Sequence, residues 1–584
     1  MDLKGGFPVT NHEVAELLRL IADMLEIKGE VVYKSLAYRK AADNIEALGH
    51  DIHDLWRQGR LRQIPGVGEA LEKKLNELLS TGRLGYLEQL QEEIPVGVVS
   101  LLGIPEVGPK TAKLLWENLG ALSVADVERA ARAGKLRDLP GLGARSEQRI
   151  LEGIESLYRR STRLPLGVAW PIAQELAEAL RRELAVKTVE PVGSLRRMKD
   201  TVGDIDLLAA CDKPERVTDA FVKLPQVAEV LSHGPTRASV ILHNGLQVDL
   251  RALEPEHYGS LLQYFTGSKD HNVTLRALAQ KQGLSLSEYG FKRGEEEILC
   301  RTEEEVYAAL GLPWIPPELR EDRGEVQAAQ AGKLPRLVQQ QDIRGDLHAH
   351  TDWSDAAATL EEMAAAARKL GYEYLVISDH THSLGVANGL DAGRLREQRA
   401  AIARLNEGVS GFRLLQGAEV EIRADGTLDF PDEVLAELDV VIASVHSGLR
   451  QDKETITDRV VRAMHNPHVD VLGHPSGRLL GQREATQVDL DHLLQVAAET
   501  GTILEVNATP NRLDLDDVHI HQAIELGVRV AINSDAHSTD GLAVMSYGVA
   551  EARRGWAEAR HVVNTFPLSQ LLRRLAHKEL AASP

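Results

Sequence analysis

Residues 193–208 read GSLRRMKDTVGDIDLL, and their pattern decides the fold of the middle of the chain. The apolar run around Asp204 and Asp206 predicts a strand, whose period of two puts both carboxylates on one face. Like charges there raise each other's pKa unless a divalent cation lies between them. A third carboxylate, Asp249, lies in the β-like run of residues 247–251. Three carboxylates on neighbouring strands can hold two Mg²⁺ or Mn²⁺ ions for phosphoryl transfer.

The Gly193-Ser194 turn lies ten residues upstream of the first two aspartates. Its N–H and O–H groups would bind nucleotide phosphates, and Arg196 would neutralise part of their charge. A lone Asp-x-Asp is as often structural as catalytic. The turn and the third aspartate together favour a catalytic site.

Three similar turns upstream read IPGVG at 64–68, IPEVG at 104–108 and LPGLG at 139–143, and each precedes a helical pattern. Such a turn exposes backbone N–H groups at the positive end of a helix and can bind a phosphate. A tight helix–helix turn is the alternative for one copy. Three copies favour helix-hairpin-helix contacts with the DNA backbone, independent of base sequence. The predicted contacts are Gly66, Gly68, Glu106, Gly108, Lys110, Gly141 and Gly143.

Short apolar runs beyond residue 341 end in His, Asp or Glu and alternate with helical patterns. In an α/β barrel the C-terminal ends of the strands converge on one mouth, where active sites lie. Imidazole and carboxylate without thiolate suit Mn²⁺, Zn²⁺ or Fe²⁺. Nine candidate ligands exceed the needs of one metal, so two or three ions are expected. They are His348, His350, Asp355, His380, Glu419, His446, His474, Asp535 and His537.

The composition of the chain limits the classes of protein to which it can belong. A chain of 584 residues predicts several domains, and its two cysteines exclude a disulfide framework. The net charge of −20 argues against bulk electrostatic DNA binding, so DNA contacts must be local. Of the 21 histidines, 14 lie in residues 341–584, which indicates a second chemistry there. The lack of a long apolar run or signal segment predicts no membrane association and a cytoplasmic location.

The segment Tyr264-Phe265-Thr266-Gly267-Ser268, followed by His271-Asn272 and Arg276, completes a motif order. By this order residues 1–315 resemble the family X DNA polymerases of the DNA polymerase beta type. The resemblance implies that Gly193, Ser194 and the three aspartates form the nucleotidyltransferase core. It further implies that Tyr264, Phe265 and Gly267 lie against the nucleotide sugar, Asn272 near the incoming base, and Arg276 under the templating base. Core packing is the alternative for the two aromatic rings.

Lys34, Tyr38, Arg39 and Lys40 resemble the lyase domain of that family, and Lys34 is a predicted DNA contact. Lys74 aligns with its Schiff-base lysine, which needs a lowered pKa. The family's other pocket lysines align with Ala70 and Tyr86, so a solvated helical Lys74 is the alternative.

The nine ligand candidates resemble the PHP (polymerase and histidinol phosphatase) domain. The resemblance implies a distorted seven-fold α/β barrel with a three-metal phosphoesterase site and all nine ligand positions filled. Arg478, shortly after His474, is either a phosphate contact or an ordinary surface arginine.

We therefore expect a multidomain α+β and α/β protein that combines a gap-filling repair polymerase with a 3′-5′ exonuclease, which could also act on 3′ phosphates or abasic sites. Its partners would be gapped or primer-template DNA and dNTPs, and the chain would act as a nucleoid-associated monomer. A small-molecule phosphoesterase with a DNA-recruiting half and an inert repair scaffold are the alternatives. The expected domains are a lyase-like region (1–90), a helix-hairpin-helix region (91–165), a nucleotidyltransferase palm (166–260), a nucleotide-selection subdomain (261–315), a linker (316–340) and a PHP domain (341–584).

Overall fold

A computed structural model describes residues 11–46, 52–104, 107–161, 163–184 and 188–581. The chain separates into two compact units. The first comprises residues up to 162 together with Gly385–Ala387, and the second comprises the rest. Within the described residues, no helix is both long and apolar enough to cross a membrane.

The first unit is helical throughout its described N-terminal part. Apolar residues at helical spacing drive this fold, as in the fourth helix, which buries Leu71, Leu75, Leu78 and Leu79. The helices are α1 (Asn11–Lys28), α2 (Val32–Glu46), α3 (Ile52–Arg57), α4 (Glu69–Thr81), α5 (Gly85–Glu93), α6 (Val96–Ser100), α7 (Pro109–Leu119), α8 (Val124–Arg132) and α9 (Ala144–Ser161).

The second unit begins with a five-stranded mixed sheet in the order β2-β4-β7-β6-β5, where only β4 and β7 pair in parallel. A two-stranded ribbon of β1 and β3 accompanies it. The strands are β1 (Leu164–Pro165), β2 (Thr188–Pro191), β3 (Thr201–Val202), β4 (Ile205–Ala210), β5 (Val227–His233), β6 (Arg237–Leu242) and β7 (Gln247–Leu253). The helices are α10 (Leu166–Leu184), α11 (Gly193–Arg196) and α12 (Pro214–Phe221).

A smaller layer follows the mixed sheet. It contains α13 (Tyr258–Thr266), α14 (Lys269–Lys281), β8 (Ser285–Ser287), β9 (Gly290–Arg293), β10 (Glu296–Ile298), α15 (Glu303–Ala309) and α16 (Glu325–Gln330). Residues 316–340, for which the sequence predicts a linker, contribute buried side chains to this layer: Leu319, Val326 and Ala329 join its core. The Arg320 side chain is fully buried and makes two hydrogen bonds to Glu303, so a polar composition here reflects paired charges.

The remainder forms a seven-stranded parallel barrel in chain order. Its strands are β11 (Gly345–Ala349), β12 (Tyr374–Ile377), β13 (Arg413–Glu421), β14 (Val440–Ser444), β15 (Val471–Leu472), β16 (Ile503–Asn507) and β17 (Val530–Asn533). Its helices are α17 (Leu360–Lys369), α18 (Ala392–Asn406), α19 (Asp432–Leu435), α20 (Lys453–Met464), α21 (Leu490–Thr500), α22 (Asp517–Glu525), α23 (Met545–Arg554) and α24 (Leu568–Ala581). A parallel bridge between Ala349 of β11 and Ala536, just beyond the end of β17, brings the first and last strands of the sheet together. The predicted fold class is confirmed.

The mixed sheet and the barrel share a buried junction. Leu513, from the loop after β16, is fully buried in the core of the mixed sheet. Pro510 of that loop lies against Gly167 so closely that a Cβ on Gly167 would be 2.2 Å from the Pro510 Cβ. These contacts make the sheet and the barrel parts of one compact unit.

Two candidate metal centres

The three aspartates of the mixed sheet meet where its two parallel strands begin. The pairing of β4 with β7 sets Asp206 opposite Asp249, and Asp204 immediately precedes β4. One carboxylate oxygen from each residue lies within 4.8 Å of the others. The parallel register therefore converts two distant sequence motifs into one acidic cluster.

The electrostatics of this cluster fit a divalent cation. Burial and the negative charges of Asp204 and Asp249 together raise the pKa of Asp206 to about 7, against the opposing effect of Arg251. The Oδ1 atom of Asp249 is buried without a hydrogen-bond partner. Oxygen ligands of this kind suit Mg²⁺ or Mn²⁺, whose charge would relieve the repulsion.

The Gly193 turn lies directly against the cluster. Gly193 has φ +66°, and a Cβ there would lie 3.0 Å from the Asp206 Oδ2 atom, so the approach requires glycine. Ser194 follows in the short helix α11, whereas Arg196 turns away to a bidentate ion pair with Glu303 at 2.8 Å for both hydrogen bonds. Although burial alone would raise it, Arg320 and Arg196 hold the pKa of Glu303 at about 2. Much of the Arg196 charge is therefore already compensated.

The predicted nucleotide pocket follows α13. The rings of Tyr264 and Phe265 are half-buried and meet edge to face at 5.3 Å, and the Arg251 guanidinium lies 5.0 Å from the Phe265 centroid. The Asn272 amide donates to the Tyr264 carbonyl at 2.7 Å. Exposed Arg276 donates from Nε to the Asn272 carbonyl at 3.3 Å. These contacts order the segment, and Gly267 ends the helix with φ +71°.

The second centre lies at the C-terminal ends of the barrel strands, with Glu419 of β13 in the middle. Its Oε2 atom lies 2.9 Å from His380 Nδ1 and 3.4 Å from His348 Nε2. Its Oε1 atom lies 2.9 Å from His474 Nε2 and 3.2 Å from His446 Nε2. One buried carboxylate thus touches four imidazoles from four strand ends.

The other ligand candidates complete the ring around this carboxylate. His350 Nε2 lies 3.2 Å from the Asp535 Oδ1 atom. The two carboxylate oxygens of Asp355 each lie 3.5 Å from an imidazole nitrogen, Oδ2 from His380 Nε2 and Oδ1 from His537 Nε2. Three groups have ligand atoms within 4.8 Å of one another. They are His350, Asp355, His380 and His537; His348, His350 and Asp535; and His380, Glu419 and His446.

The donor set fits several divalent ions. The Nε2 atoms of His348 and His350 and the Oδ1 atom of Asp535 are buried without hydrogen-bond partners. Burial lowers the pKa of His350 far below its usual range, and the neighbouring histidines lower it further. In His446, Glu419 and Glu421 outweigh burial and raise the pKa to about 10. A bound cation would take the place of the ring proton, and imidazoles beside carboxylates are the ligands that Mn²⁺, Zn²⁺ and Fe²⁺ accept.

Two buried carboxylates that sequence reasoning missed orient these imidazoles. Glu505 of β16 lies 2.7 Å from His348 Nδ1 and accepts the His474 backbone N–H at 2.7 Å. Glu421 lies 2.8 Å from His446 Nδ1. A hydrogen bond on one ring nitrogen leaves the other for a metal. Their position in the sequence could have identified these two glutamates, because each lies near the C-terminal end of a strand.

Two arginines lie near the barrel mouth. Arg478 is not an ordinary surface arginine: its side chain is 15% exposed and donates to Asp200 Oδ2 at 3.2 Å and to the carbonyls of Arg512 and Leu513. Arg512, which the sequence did not single out, has its Nε 3.8 Å from Asp535 Oδ2. Its Nη1 atom is buried without a partner, which leaves a donor for an anion.

The predicted lyase lysine lies in an aromatic environment in the first unit. Lys74 Nζ lies 4.3 Å from the centroid of the Tyr86 ring, and Lys34 Nζ lies 5.8 Å from it. Burial lowers the pKa of Lys74, and the nearby charge of Lys34 lowers it further. Tyr86 thus occupies the place where the sequence comparison expected a lysine.

The glycine turns of the first unit precede helices as predicted. Gly66 and Gly141 have φ of +89° and +79°. Gly68 and Gly108 cap the N-termini of α4 and α7, and Gly143 comes directly before α9. Lys110 is exposed in the first turn of α7. Glu106 lies outside the described residues.

An acidic cluster beside a glycine turn on a mixed sheet, joined to a histidine-lined parallel barrel, defines a nucleotidyltransferase fused to a metal-dependent phosphoesterase. Family models agree with this class. Residues 9–84 match a helix-hairpin-helix domain and 98–156 a helix-hairpin-helix tandem. Residues 261–321 match the DNA polymerase beta thumb, and 346–509 match the PHP domain.

Known proteins extend the comparison over the whole chain. The chain is 40% identical to the DNA polymerase/3′-5′ exonuclease PolX of Bacillus subtilis, covering 96% of this chain and 98% of that protein. Rat DNA polymerase lambda is 25% identical over 53% of this chain and 56% of its own length. A probable phosphatase of Thermoanaerobacter sp. strain X514 is 32% identical over 33% of this chain and 78% of its own length. The chain belongs to the bacterial family X DNA polymerases that carry a C-terminal PHP domain, so the predicted resemblance is confirmed.

Proposed function

We propose that this protein fills short gaps in damaged DNA with its polymerase core and removes 3′-terminal nucleotides with its PHP domain. The observation that carries the proposal is the presence of two separate metal-fitting clusters, one purely carboxylate and one rich in imidazole, in a single compact unit. Because the two clusters differ in their ligands, one chain can hold one set of metal ions for forming phosphodiester bonds and another set for hydrolysing them.

In the polymerase core, Asp204, Asp206 and Asp249 would hold Mg²⁺ or Mn²⁺. Such ions neutralise phosphate charge and stabilise the attacking and leaving oxygens. Gly193 lets the backbone lie close to the Asp206 carboxylate, and the turn at Ser194 supplies hydrogen-bond donors. Tyr264 and Phe265 contribute half-buried aromatic rings. These groups orient a nucleotide so that its phosphates face the aspartates.

In the PHP domain, the nine ligand candidates would hold two or three ions among Mn²⁺, Zn²⁺ and Fe²⁺. Such ions activate water and neutralise phosphate oxygens. Glu505 and Glu421 fix the tautomers of His348 and His446. Arg512 offers the unpaired donors of its guanidinium to a substrate phosphate at the same mouth.

Paired variants test the division of labour. Asp204→Ala with Asp206→Ala should abolish extension of a labelled gapped duplex in Mn²⁺ and dNTPs yet leave 3′ shortening intact without dNTPs. His348→Ala with His350→Ala should do the reverse. Each variant controls for the folding of the other, because the retained activity reports an intact unit. Extension at the parental rate by the aspartate variant would contradict the polymerase assignment.

The substrate of the barrel needs its own comparison, since a third of the chain is similar to a probable phosphatase. Release of mononucleotides from a DNA 3′ end should exceed hydrolysis of a sugar phosphate such as histidinol phosphate. The opposite ranking would favour a small-molecule phosphoesterase. Binding of metal without turnover on either substrate would favour a scaffold.

Removal of 5′-deoxyribose phosphate by Lys74 is a second proposed activity. The lowered pKa of Lys74, which follows from burial and from Lys34, favours an amine able to form a Schiff base. Borohydride should trap the protein on an incised abasic duplex, and Lys74→Arg should remove the adduct. Lys73→Arg is the matched control, because Lys73 is its exposed neighbour on α4. Equal trapping by all three proteins would contradict the assignment.

A further inference from the structure

The turn that ends α13 is held by a buried arginine. Arg197 Nη1 donates to the Thr266 carbonyl at 2.6 Å, and a Cβ on Gly267 would lie 3.1 Å from the same nitrogen. The Arg197 side chain is 11% exposed, so its position is set by neighbouring groups and not by solvent. The geometry of the Thr266–Gly267 turn therefore depends on what holds Arg197.

Two further groups, Glu321 and Arg554, hold Arg197 in place. Glu321 Oε1 accepts from Arg197 Nε at 2.9 Å and from Arg554 Nη1 at 3.1 Å. Arg554 Nη1 also donates to the Arg197 carbonyl at 2.8 Å. Arg554 is the last residue of α23, a helix of the barrel, and lies 357 positions along the chain from Arg197. A barrel residue thus contacts both the backbone and the ion-pair partner of Arg197.

Arg554 is itself fixed by buried carboxylates. Its Nη2 donates to Asp517 Oδ2, and its side chain is 2% exposed. Burial tends to lower the pKa of Arg554, but the carboxylates of Asp517 and Glu321 outweigh it and raise the pKa. A charge buried in this way cannot move without leaving its partners unpaired. The contact with Arg197 is therefore rigid.

Other contacts already join the barrel to the rest of the unit. Arg553 Nε donates to Glu318 Oε1 at 2.7 Å, and Arg478 Nη1 donates to Asp200 Oδ2 at 3.2 Å. No hydrogen bond of either side chain to the Thr266–Gly267 turn is found among the described residues. Arg554 differs from these two arginines because it contacts Arg197, which in turn donates a hydrogen bond to the turn.

We propose that Arg554 of the PHP domain is a positioning residue for the polymerase nucleotide pocket, acting through Arg197 and Glu321 on the Thr266–Gly267 turn. The inference rests on the proposed function, in which Gly267 lies against the nucleotide sugar. The PHP domain then serves DNA synthesis directly, apart from its own hydrolytic site.

Steady-state incorporation by the full-length Arg554→Ala protein tests this role. The KM for a dNTP should rise about tenfold, as for loss of one charge-assisted hydrogen bond, while kcat falls less. The preference for a dNTP over the matching rNTP should also fall, because a displaced turn no longer fits the sugar closely. A purely structural role would lower both nucleotide reactions equally and leave this preference unchanged. Exonuclease activity of the same sample reports whether the unit is folded.

Arg553→Ala is the matched control, since it removes a neighbouring ion pair on α23 without touching Arg197. Arg554→Lys keeps the charge but loses the two-pronged contact, so its dNTP KM should lie between those of the parent and Arg554→Ala; if Arg554→Ala does not fold, Arg554→Lys decides. Parental KM and sugar preference in the folded Arg554 variants, or the same changes in Arg553→Ala, would overturn the inference. Loss of polymerase activity in the Asp204 and Asp206 variant would still support the proposed function in that case.

Discussion

Arg512 shows how one side chain acquires a role from its surroundings. Its guanidinium lies beside the metal-ligand candidate Asp535, and its Nη1 atom is buried without a partner. A buried donor without a partner costs free energy, which a bound phosphate would recover. The position therefore favours a substrate contact over a structural ion pair.

We expect Arg512→Ala to slow exonuclease turnover by about a hundredfold, the usual effect of losing a charge-stabilising donor. Nucleotide incorporation should remain within about twofold of the parent, because the polymerase aspartates lie in another site. The rate of 3′ shortening on a labelled duplex measures the first effect. Arg413→Ala is the control, since Arg413 is exposed at the opposite end of the barrel, where β13 begins. Equal rates for Arg512→Ala and the parent would contradict the role.

At the scale of elements, two glycines of the same turn differ in whether their backbone conformation requires glycine. Gly66 has φ +89°, and a Cβ there would lie 3.1 Å from the Ala41 backbone nitrogen. Gly68 has φ −87° and no atom within 4 Å of a Cβ position. Both glycines belong to the turn before α4, yet only Gly66 requires glycine for its conformation.

Gly66→Ala should therefore lower the free energy of unfolding by about 1–2 kcal/mol. Gly68→Ala should lower it by less than about 1 kcal/mol, the cost of a poorer helix N-cap. Urea unfolding of both variants makes the comparison. Binding to gapped DNA should weaken more for Gly66→Ala if the turn presents its N–H groups to the backbone. Equal destabilisation by both substitutions would show that the positive φ is not the cause.

At the scale of the whole molecule, the junction between barrel and mixed sheet contains a buried acid. Glu551 is 2% exposed and accepts the Asp517 backbone N–H at 2.9 Å. Burial, with the negative charges of Asp517 and Asp200, raises the pKa of Glu551 to about 8, although Arg554 and Arg478 oppose this shift. The folded protein therefore keeps a proton that the unfolded chain releases at lower pH.

This retained proton decides whether the stability of the protein rises or falls with pH. Between the unfolded pKa, near 4.5, and the folded pKa, about 8, the contribution of Glu551 to stability should fall as pH rises and be constant above that range. The fall is at most about 1.4 kcal/mol per pH unit. The difference in unfolding free energy between the parent and Glu551→Gln, measured from pH 5 to 9, should show this slope. The same comparison with exposed Glu433→Gln should be flat, and a flat line for Glu551→Gln would contradict the shift.

The sequence by itself determined the local chemistry. Period-two spacing put His348 beside His350, and the glycine turns preceded their helices, because such neighbours are fixed by one strand or one turn. The acidic cluster and the nine barrel candidates were predicted from residues on neighbouring strands and at strand ends, which the pairing of strands brings together. The parallel barrel followed from strands that end in polar residues and alternate with helices.

Only the tertiary structure decided the partners of the buried charges. Glu505 contacts His348 and Arg554 contacts Arg197, each far away in the chain, and Arg196 pairs with Glu303, not with the acidic cluster. Residues 316–340 are polar in composition yet bury Arg320 against Glu303. The reason is physical: a buried charge must find its opposite wherever packing brings one, and no local spacing encodes which segment that will be.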